Sequence, residues 1–334
     1  RAFVDAYVTR PSEQWAWNDF GKPGMPDGPY LAATPRKWKL EMHKDAISVR
    51  AVMRSEADEE VPDPVTLEVV LYSEQPYVDI AWSIQNKTPD PRPEAGWLCM
   101  PFNRENPRFQ LARIGSVIDP AKDIVPGSNR HLFCLNSGMT IEGRSDPDII
   151  GICPLDSPLV SLGEPGLWKY SLDYVPKTAD VFINLFNNQW TTNFPLWVGG
   201  SWTSSVRIWA SSRTIEGERL QPPSWEARQG CWASFADGPG GSLPPSRKGL
   251  DVGPGGALVT AFGSNPDGPG RILRLWSPAF DKFAIELPEG LNAECAQLVD
   301  LRGRPLKDPV TVSGREISFS VPTYGPYTIL FPKG

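Results

Sequence analysis

The chain has 334 residues, 40% of them hydrophobic and 22% charged, with a net charge of −6. That is ordinary globular usage and speaks against disorder. The acidic balance, with no basic patch in the sequence, speaks against nucleic acid as a partner, and no run approaches the roughly 18 apolar residues of a membrane span.

In chain order, the sequence opens on Arg1 with no charged segment leading into an apolar run, and its native amino terminus is expected to lie upstream. Pro26-Asp27-Gly28 is a turn former. Val65 to Tyr72 reads as a strand, Ser73-Glu-Gln-Pro76 as a turn, and Tyr77 to Gln85 as the partner strand. In the latter, Val78, Ile80, Trp82 and Ile84 share one face, while Asp79, Ser83 and Gln85 take the other. Val181 to Asn187 sets Val181, Ile183 and Leu185 opposite Phe182, Asn184 and Phe186. Val206 to Ala210, Ile317 to Val321 and Tyr327 to Phe331 alternate as well, and Pro266-Asp267-Gly268 is another turn.

No amphipathic helix longer than two turns is convincing, because the 36 Pro and 30 Gly are spread along the whole chain and interrupt each candidate. Repeated short strands with such turns predict an all-β chain, a sandwich or a barrel. The stretch Asp237-Gly-Pro-Gly-Gly-Ser-Leu-Pro-Pro-Ser-Arg-Lys-Gly249, followed by Gly253-Pro-Gly-Gly256, has few large apolar residues and reads as a linker. It predicts a large β domain over 1–235, a linker over 236–256 and a small β domain over 257–334. No repeat of fixed period is visible.

The stretch richest in chemistry is Asn184-Leu-Phe-Asn-Asn-Gln-Trp-Thr-Thr-Asn-Phe-Pro-Leu-Trp197, with five amide side chains, two threonines and two tryptophans. Amides offer both donors and acceptors, and an indole face packs on the apolar face of a pyranose ring. Turn-forming asparagines and a core tryptophan are the competing reading, and both stay open. Asp156 lies in Leu155-Asp-Ser-Pro158 and Glu94 in Arg92-Pro-Glu-Ala-Gly-Trp97. Asp156 is preferred as a structural turn former and Glu94 as a solvated loop residue, although a carboxylate beside aromatic surface can titrate high. Asn86-Lys-Thr88 is a glycosylation sequon on paper.

His43 and His131 are the only histidines and show no metal-ligand spacing, so no metal ligand is assigned. Neither a Gly-x-Ser-x-Gly elbow nor a phosphate-cradling loop is present. The 39 acidic residues single out no catalytic pair. Cys99, Cys134, Cys153, Cys231 and Cys295 are scattered and odd in number, which predicts thiols that are mostly buried rather than a disulfide framework.

The same residues carry a resemblance. Asn184-Leu-Phe-Asn-Asn-Gln-Trp190 with Thr192-Asn-Phe-Pro195 closely resembles a motif in the carboxy-terminal β region of glycoside hydrolase family 38, the α-mannosidases and their bacterial relatives. Leu155-Asp-Ser-Pro-Leu159, Pro93-Glu-Ala95, Pro101-Phe102, Asn265-Pro-Asp-Gly-Pro-Gly-Arg-Ile-Leu-Arg-Leu-Trp276 and Leu301-Arg-Gly-Arg-Pro305 fit the same pattern, so that it covers about residues 60 to 330. The resemblance implies a galactose-mutarotase-like β supersandwich followed by a small β-sandwich. It implies that the zinc ligands and the aspartate nucleophile belong to an amino-terminal α/β barrel that this sequence lacks. No catalytic residue is therefore carried over, no cofactor is expected in this chain, and zinc is expected in the missing domain.

Its expected partners are that catalytic domain and a mannoside-like carbohydrate. Asn187, Asn188, Trp190 and Asn193 are the carbohydrate-contact candidates, joined by Glu94 and Asp156. Two other readings compete: a free-standing mutarotase-type sugar epimerase, which shares the implied fold and would use His43 or His131 as acid and Glu94 as base, and a carbohydrate-binding or interaction module, which a Trp-lined exposed cleft would favour.

Overall fold

A computed structural model of the chain describes all residues except 1–3, 10–30, 33–36, 58–62, 91–93, 145–147, 168, 189–196, 212–219, 236–237, 239, 243, 253–256, 278–281, 321–322 and 333–334. Its described strands begin with β1 (Val4–Thr9), β2 (Leu31–Ala32), β3 (Trp38–Lys44), β4 (Ser48–Ser55), β5 (Val65–Tyr72), β6 (Tyr77–Lys87), β7 (Glu94–Phe102) and β8 (Arg108–Arg113). They continue with β9 (Ser116–Ile118), β10 (Phe133–Cys134), β11 (Met139–Glu142), β12 (Ile149–Pro154), β13 (Leu159–Leu162), β14 (Ala179–Asn187) and β15 (Gly200–Ser211). The helix α1 (Gln221–Gln229) precedes β16 (Leu258–Ser264), β17 (Arg271–Trp276), β18 (Lys282–Glu286), β19 (Gln297–Val299), β20 (Thr311–Ser313), β21 (Glu316–Ser320) and β22 (Pro326–Phe331).

The first fifteen strands form two antiparallel sheets. One runs β10-β13-β14-β7-β1-β2, the other β3-β4-β5-β6-β15-β12-β11-β8-β9. Their inner faces share one core, in which Val65, Leu67, Ile80, Trp82 and Ile84 meet Leu98, Met100, Val181 and Ile183. This is the two-sheet supersandwich that the resemblance implies. Burial of each such side chain contributes about 1.5–3 kcal/mol, against about 0–1 kcal/mol for a surface ion pair. Apolar packing therefore holds the sandwich.

A second β-sandwich pairs the sheet β16-β17-β22-β19 with the sheet β18-β21-β20. Leu273, Leu275, Leu298 and Ile329 from one meet Phe283, Ile285, Ile317 and Phe319 from the other. The chain divides into two compact units, 1–113 with 118–214, and 114–117 with 215–334. Within the Gly/Pro-rich stretch, Leu250 and Val252 pack against the core of the second unit, and Asp251 bridges to Glu286.

The strands read from alternation are all present, most within two residues at their ends; the one read from Val206 begins six residues earlier, at Gly200, and Val321 lies outside the described residues. The Pro266-Asp267-Gly268 turn joins β16 to β17, with Asn265 Oδ1 accepting from Asp267 N–H at 3.1 Å. Pro26-Asp27-Gly28 lies outside the described residues. Three expectations need correction. α1 has nine residues, about two and a half turns; Pro222 and Pro223 fall in its first turn, where no backbone N–H is needed. Of the thiols only Cys153 is buried, while Cys134 on a two-residue edge strand and Cys231 in the coil after α1 are exposed. Finally, Phe186 packs against the same core as Leu185, because a β-bulge between Asn184 and Phe186 interrupts the alternation. Among the described residues no helix is long and apolar enough to cross a membrane.

Candidate functional site

Two β-bulges lie at one end of the first sandwich. On β6, Gln85 and Asn86 together oppose Ser201 of β15: Ile84 pairs with Trp202 and Lys87 with Gly200. Asn86 takes φ +52°, a left-handed conformation that asparagine tolerates better than most residues. Its backbone N–H donates to Ser201 Oγ at 2.8 Å. The extra residue reverses the alternation, so Lys87 points inward instead of outward and is only 4% exposed. On β14, Leu185 is the extra residue, and Phe186 comes to lie opposite Gly96.

The two irregularities bring Lys87 to Glu94, the first residue of β7. The ammonium donates to Glu94 Oε1 at 2.6 Å, to the carbonyl of Thr88 at 3.0 Å and to the carbonyl of Val198 at 3.0 Å. Three donors thus meet three acceptors. The ammonium also lies 5.2 Å from the centroid of the Phe186 ring, which stands edge-on to Trp202 at 5.5 Å. Glu94 is 0% exposed. This corrects the expectation of a solvated loop glutamate: the residue opens a strand, and the bulged lysine supplies the partner that a buried carboxylate requires.

Asn188 completes the cluster. Its Oδ1 accepts from the Glu94 backbone N–H at 2.7 Å, its own N–H donates to the Glu94 carbonyl at 3.3 Å, and its Nδ2 donates to the Asp90 carbonyl at 3.2 Å. Asn187 Nδ2 donates to Asn184 Oδ1 at 2.6 Å, and Asn184 Nδ2 donates to the carbonyls of Gly96 and Phe186, each at 3.2 Å. Lys87 and Glu94 therefore hold both flanks of the segment between Asn188 and Val198. Trp197, on its far flank, is 47% exposed.

Of the six contact candidates, the structure brings three together. Glu94 and Asn188 are buried in this cluster and Asn187 is half-buried beside it, while Trp190 and Asn193 lie outside the described residues. Asp156 sits elsewhere. Its carboxylate accepts from the Ser205 backbone N–H at 2.8 Å, five residues along β15 from Gly200, or about 16 Å at the usual rise. Lys87 and Asn184 were not singled out as site residues from the sequence. Lys87 stood inside the Asn86-Lys-Thr88 sequon, and only the bulge gives it a role.

The histidines lie on other elements. His43 is on β3, 3.8 Å from Glu41. His131 is buried before β10, its ring stacked on Tyr174 at 4.3 Å and its Nδ1 3.7 Å from Glu164. Burial, and then the nearby Glu164 and Asp180 carboxylates, push the Tyr174 phenol up to about 12. Its hydroxyl donates to the Leu162 carbonyl at 3.0 Å.

No protein-family model and no curated protein matches the sequence. Solved structures do match in fold. An α-mannosidase from Enterococcus faecalis V583 aligns over 98% of this chain and 38% of its own, at TM-score 0.69 and 12% identity. A glycosyl hydrolase family 38 protein from Enterococcus faecalis aligns over 98% of this chain and 40% of its own, at TM-score 0.71 and 11% identity. The chain thus spans about two fifths of the length of these structures, and at such identity the likeness is one of fold.

Proposed function

We propose that this chain is the non-catalytic carboxy-terminal β half of an α-mannosidase-like glycoside hydrolase, supporting a catalytic domain and lending one rim to a carbohydrate site. One observation carries the reading. Nearly the whole chain aligns with under half of an α-mannosidase, at a TM-score of about 0.7. Among the described residues no group of three or more His, Cys, Asp or Glu is placed to hold a metal. On this reading the zinc and the nucleophile sit in the catalytic domain, and no step of the chemistry is assigned here.

The work of this chain is positional. Lys87 and Glu94 fix the two flanks of the segment between Asn188 and Val198. Asn188 spends its side chain on backbone groups, so it holds the segment rather than reaching out. Contact with sugar falls to side chains that water can reach, Asn187 and Trp197 among the described residues. An amide and an exposed indole are the side-chain types that suit a pyranose, whose hydroxyls need donors and acceptors and whose C–H face needs an apolar plane.

The test is a paired assay of a chromogenic α-mannoside, with and without added zinc. One arm is the 334-residue chain and the other is the same chain within its longest native reading frame. Hydrolysis is expected only in the longer protein. Hydrolysis by the 334-residue chain alone would overturn the reading.

A further inference from the structure

Among the described residues β3 closes one side of the nine-stranded sheet, with β4 as its single neighbour. Its seven residues contain neither Pro nor Gly. The Lys37 carbonyl accepts from Glu56 N–H at 3.0 Å, and Asp45 N–H donates to the Ser48 carbonyl at 3.1 Å. With the register Trp38↔Ser55 through Lys44↔Val49, the odd-numbered residues spend their backbone groups on β4. The N–H and C=O groups of Trp38, Leu40, Met42 and Lys44 point away from the sheet, and among the described residues no strand takes them up. The side chains of Leu40 and Met42 are 61% and 59% exposed. An exposed edge of seven residues with a row of open backbone groups is a template for another strand.

The outward charges do not seal it. Lys39 is held by Glu56 at 2.8 Å and Glu41 by Arg54 at 2.8 Å, both within the sheet. Their order along the strand selects a partner. Backbone groups allow only even-numbered residues to face even-numbered residues across a two-fold axis. Centring the pair between Trp38 and Leu40 sets Lys39 against Lys39, and centring it between Leu40 and Met42 sets Glu41 against Glu41. Like charges directly opposite are destabilising. Centring it on Met42 sets Glu41 against His43 twice but Leu40 against Lys44 twice, an apolar side chain opposite an ammonium, and leaves Trp38 beyond the paired residues. Centring it on Leu40 sets Lys39 against Glu41 twice and Trp38 against Met42 twice, with Leu40 on Leu40. Lys37 then falls opposite His43 at the rim of the ribbon, where water screens the pair.

We propose that β3 pairs antiparallel with β3 of a second copy of this chain, centred on Leu40, joining two nine-stranded sheets into one. The interface is isologous, so each complementary pair counts twice. The inference is independent of the enzymatic reading.

Sedimentation equilibrium of the 334-residue chain is expected to show a concentration-dependent dimer. Glu41→Lys places lysine against lysine twice and should weaken the dimer about tenfold or more, and Lys39→Glu should do the same. The double variant Lys39→Glu/Glu41→Lys restores both pairs and should return the dissociation constant to within about threefold of the original. It also sets like charges against Glu56 and Arg54, but those surface contacts are worth little to the fold, and thermal melting by circular dichroism confirms that each variant is folded. A chain that stays monomeric at every concentration overturns the proposal, including the case in which another polypeptide covers the edge. So does a dimer indifferent to Glu41→Lys, or one that the double variant does not recover.

Discussion

At the scale of single residues, the Lys87–Glu94 pair dominates, because each side chain is buried and each relies on the other. Removing one partner of such a pair leaves an uncompensated charge in low dielectric. Lys87→Met should destabilise the first unit by about 3–5 kcal/mol, while Lys87→Met/Glu94→Leu should cost much less. Urea unfolding followed by tryptophan fluorescence measures both, and equal losses in the two variants would show that the charge is not the cause. Tyr174 sets a limit at the alkaline end. Burial raises its phenol from the ordinary 10.0 to about 12, so folding favours the neutral form. That contribution is complete below pH 10 and is lost as pH rises through about 12. Stability should fall more steeply over that window in the wild type than in Tyr174→Phe, which lacks the titrating group; parallel curves would refute the assignment. Legibility was uneven here. Asn184, Asn187 and Asn188 stood out as polar residues at the end of an alternating strand, and Glu94 was noticed beside Trp97. Lys87 was invisible as a site residue, since two-residue periodicity points it to solvent.

At the scale of elements, the bulges decide what the site is. Gly96 shows how tightly one is built: a Cβ at this position would stand 2.2 Å from the Phe186 ring, which lies across the glycine. Gly96→Ala should therefore cost about 1–3 kcal/mol through overpacking. Adding Phe186→Leu should recover part of that loss, which paired thermal melts would detect. If Gly96→Ala melts like the wild type, the ring is not locked as described. The strands themselves were legible because alternation is a local property of the chain, as in Tyr77 to Gln85, where Ile80, Trp82 and Ile84 are buried as their spacing requires. The bulges were not legible. One extra residue leaves no mark in composition, and its place is set by which strand lies across from it.

At the scale of the whole molecule, the two cores share no residue, so each unit has its own source of hydrophobic stability. Scanning calorimetry should resolve more than one transition, with a calorimetric enthalpy above the van't Hoff value; one transition with equal enthalpies would contradict this. By itself the sequence determined the all-β class and the individual strands, because side-chain alternation and Pro/Gly turns act over a few residues and need no distant partner. The family resemblance reached further, to a supersandwich followed by a small sandwich, and solved structures bear it out at the level of fold. Only the tertiary structure decided that Glu94 is buried on Lys87, that Asn188 binds backbone instead of facing solvent, and that Asp156 belongs to another stretch of sheet. Each of those depends on residues far apart in the chain: Lys87 and Glu94 are seven positions apart, but the bulge that turns Lys87 inward lies against Ser201 of β15; Asn188 meets Glu94 across 94 positions, and Lys87 meets Val198 across 111. Contacts at that separation follow from strand order and register, which local pattern does not encode.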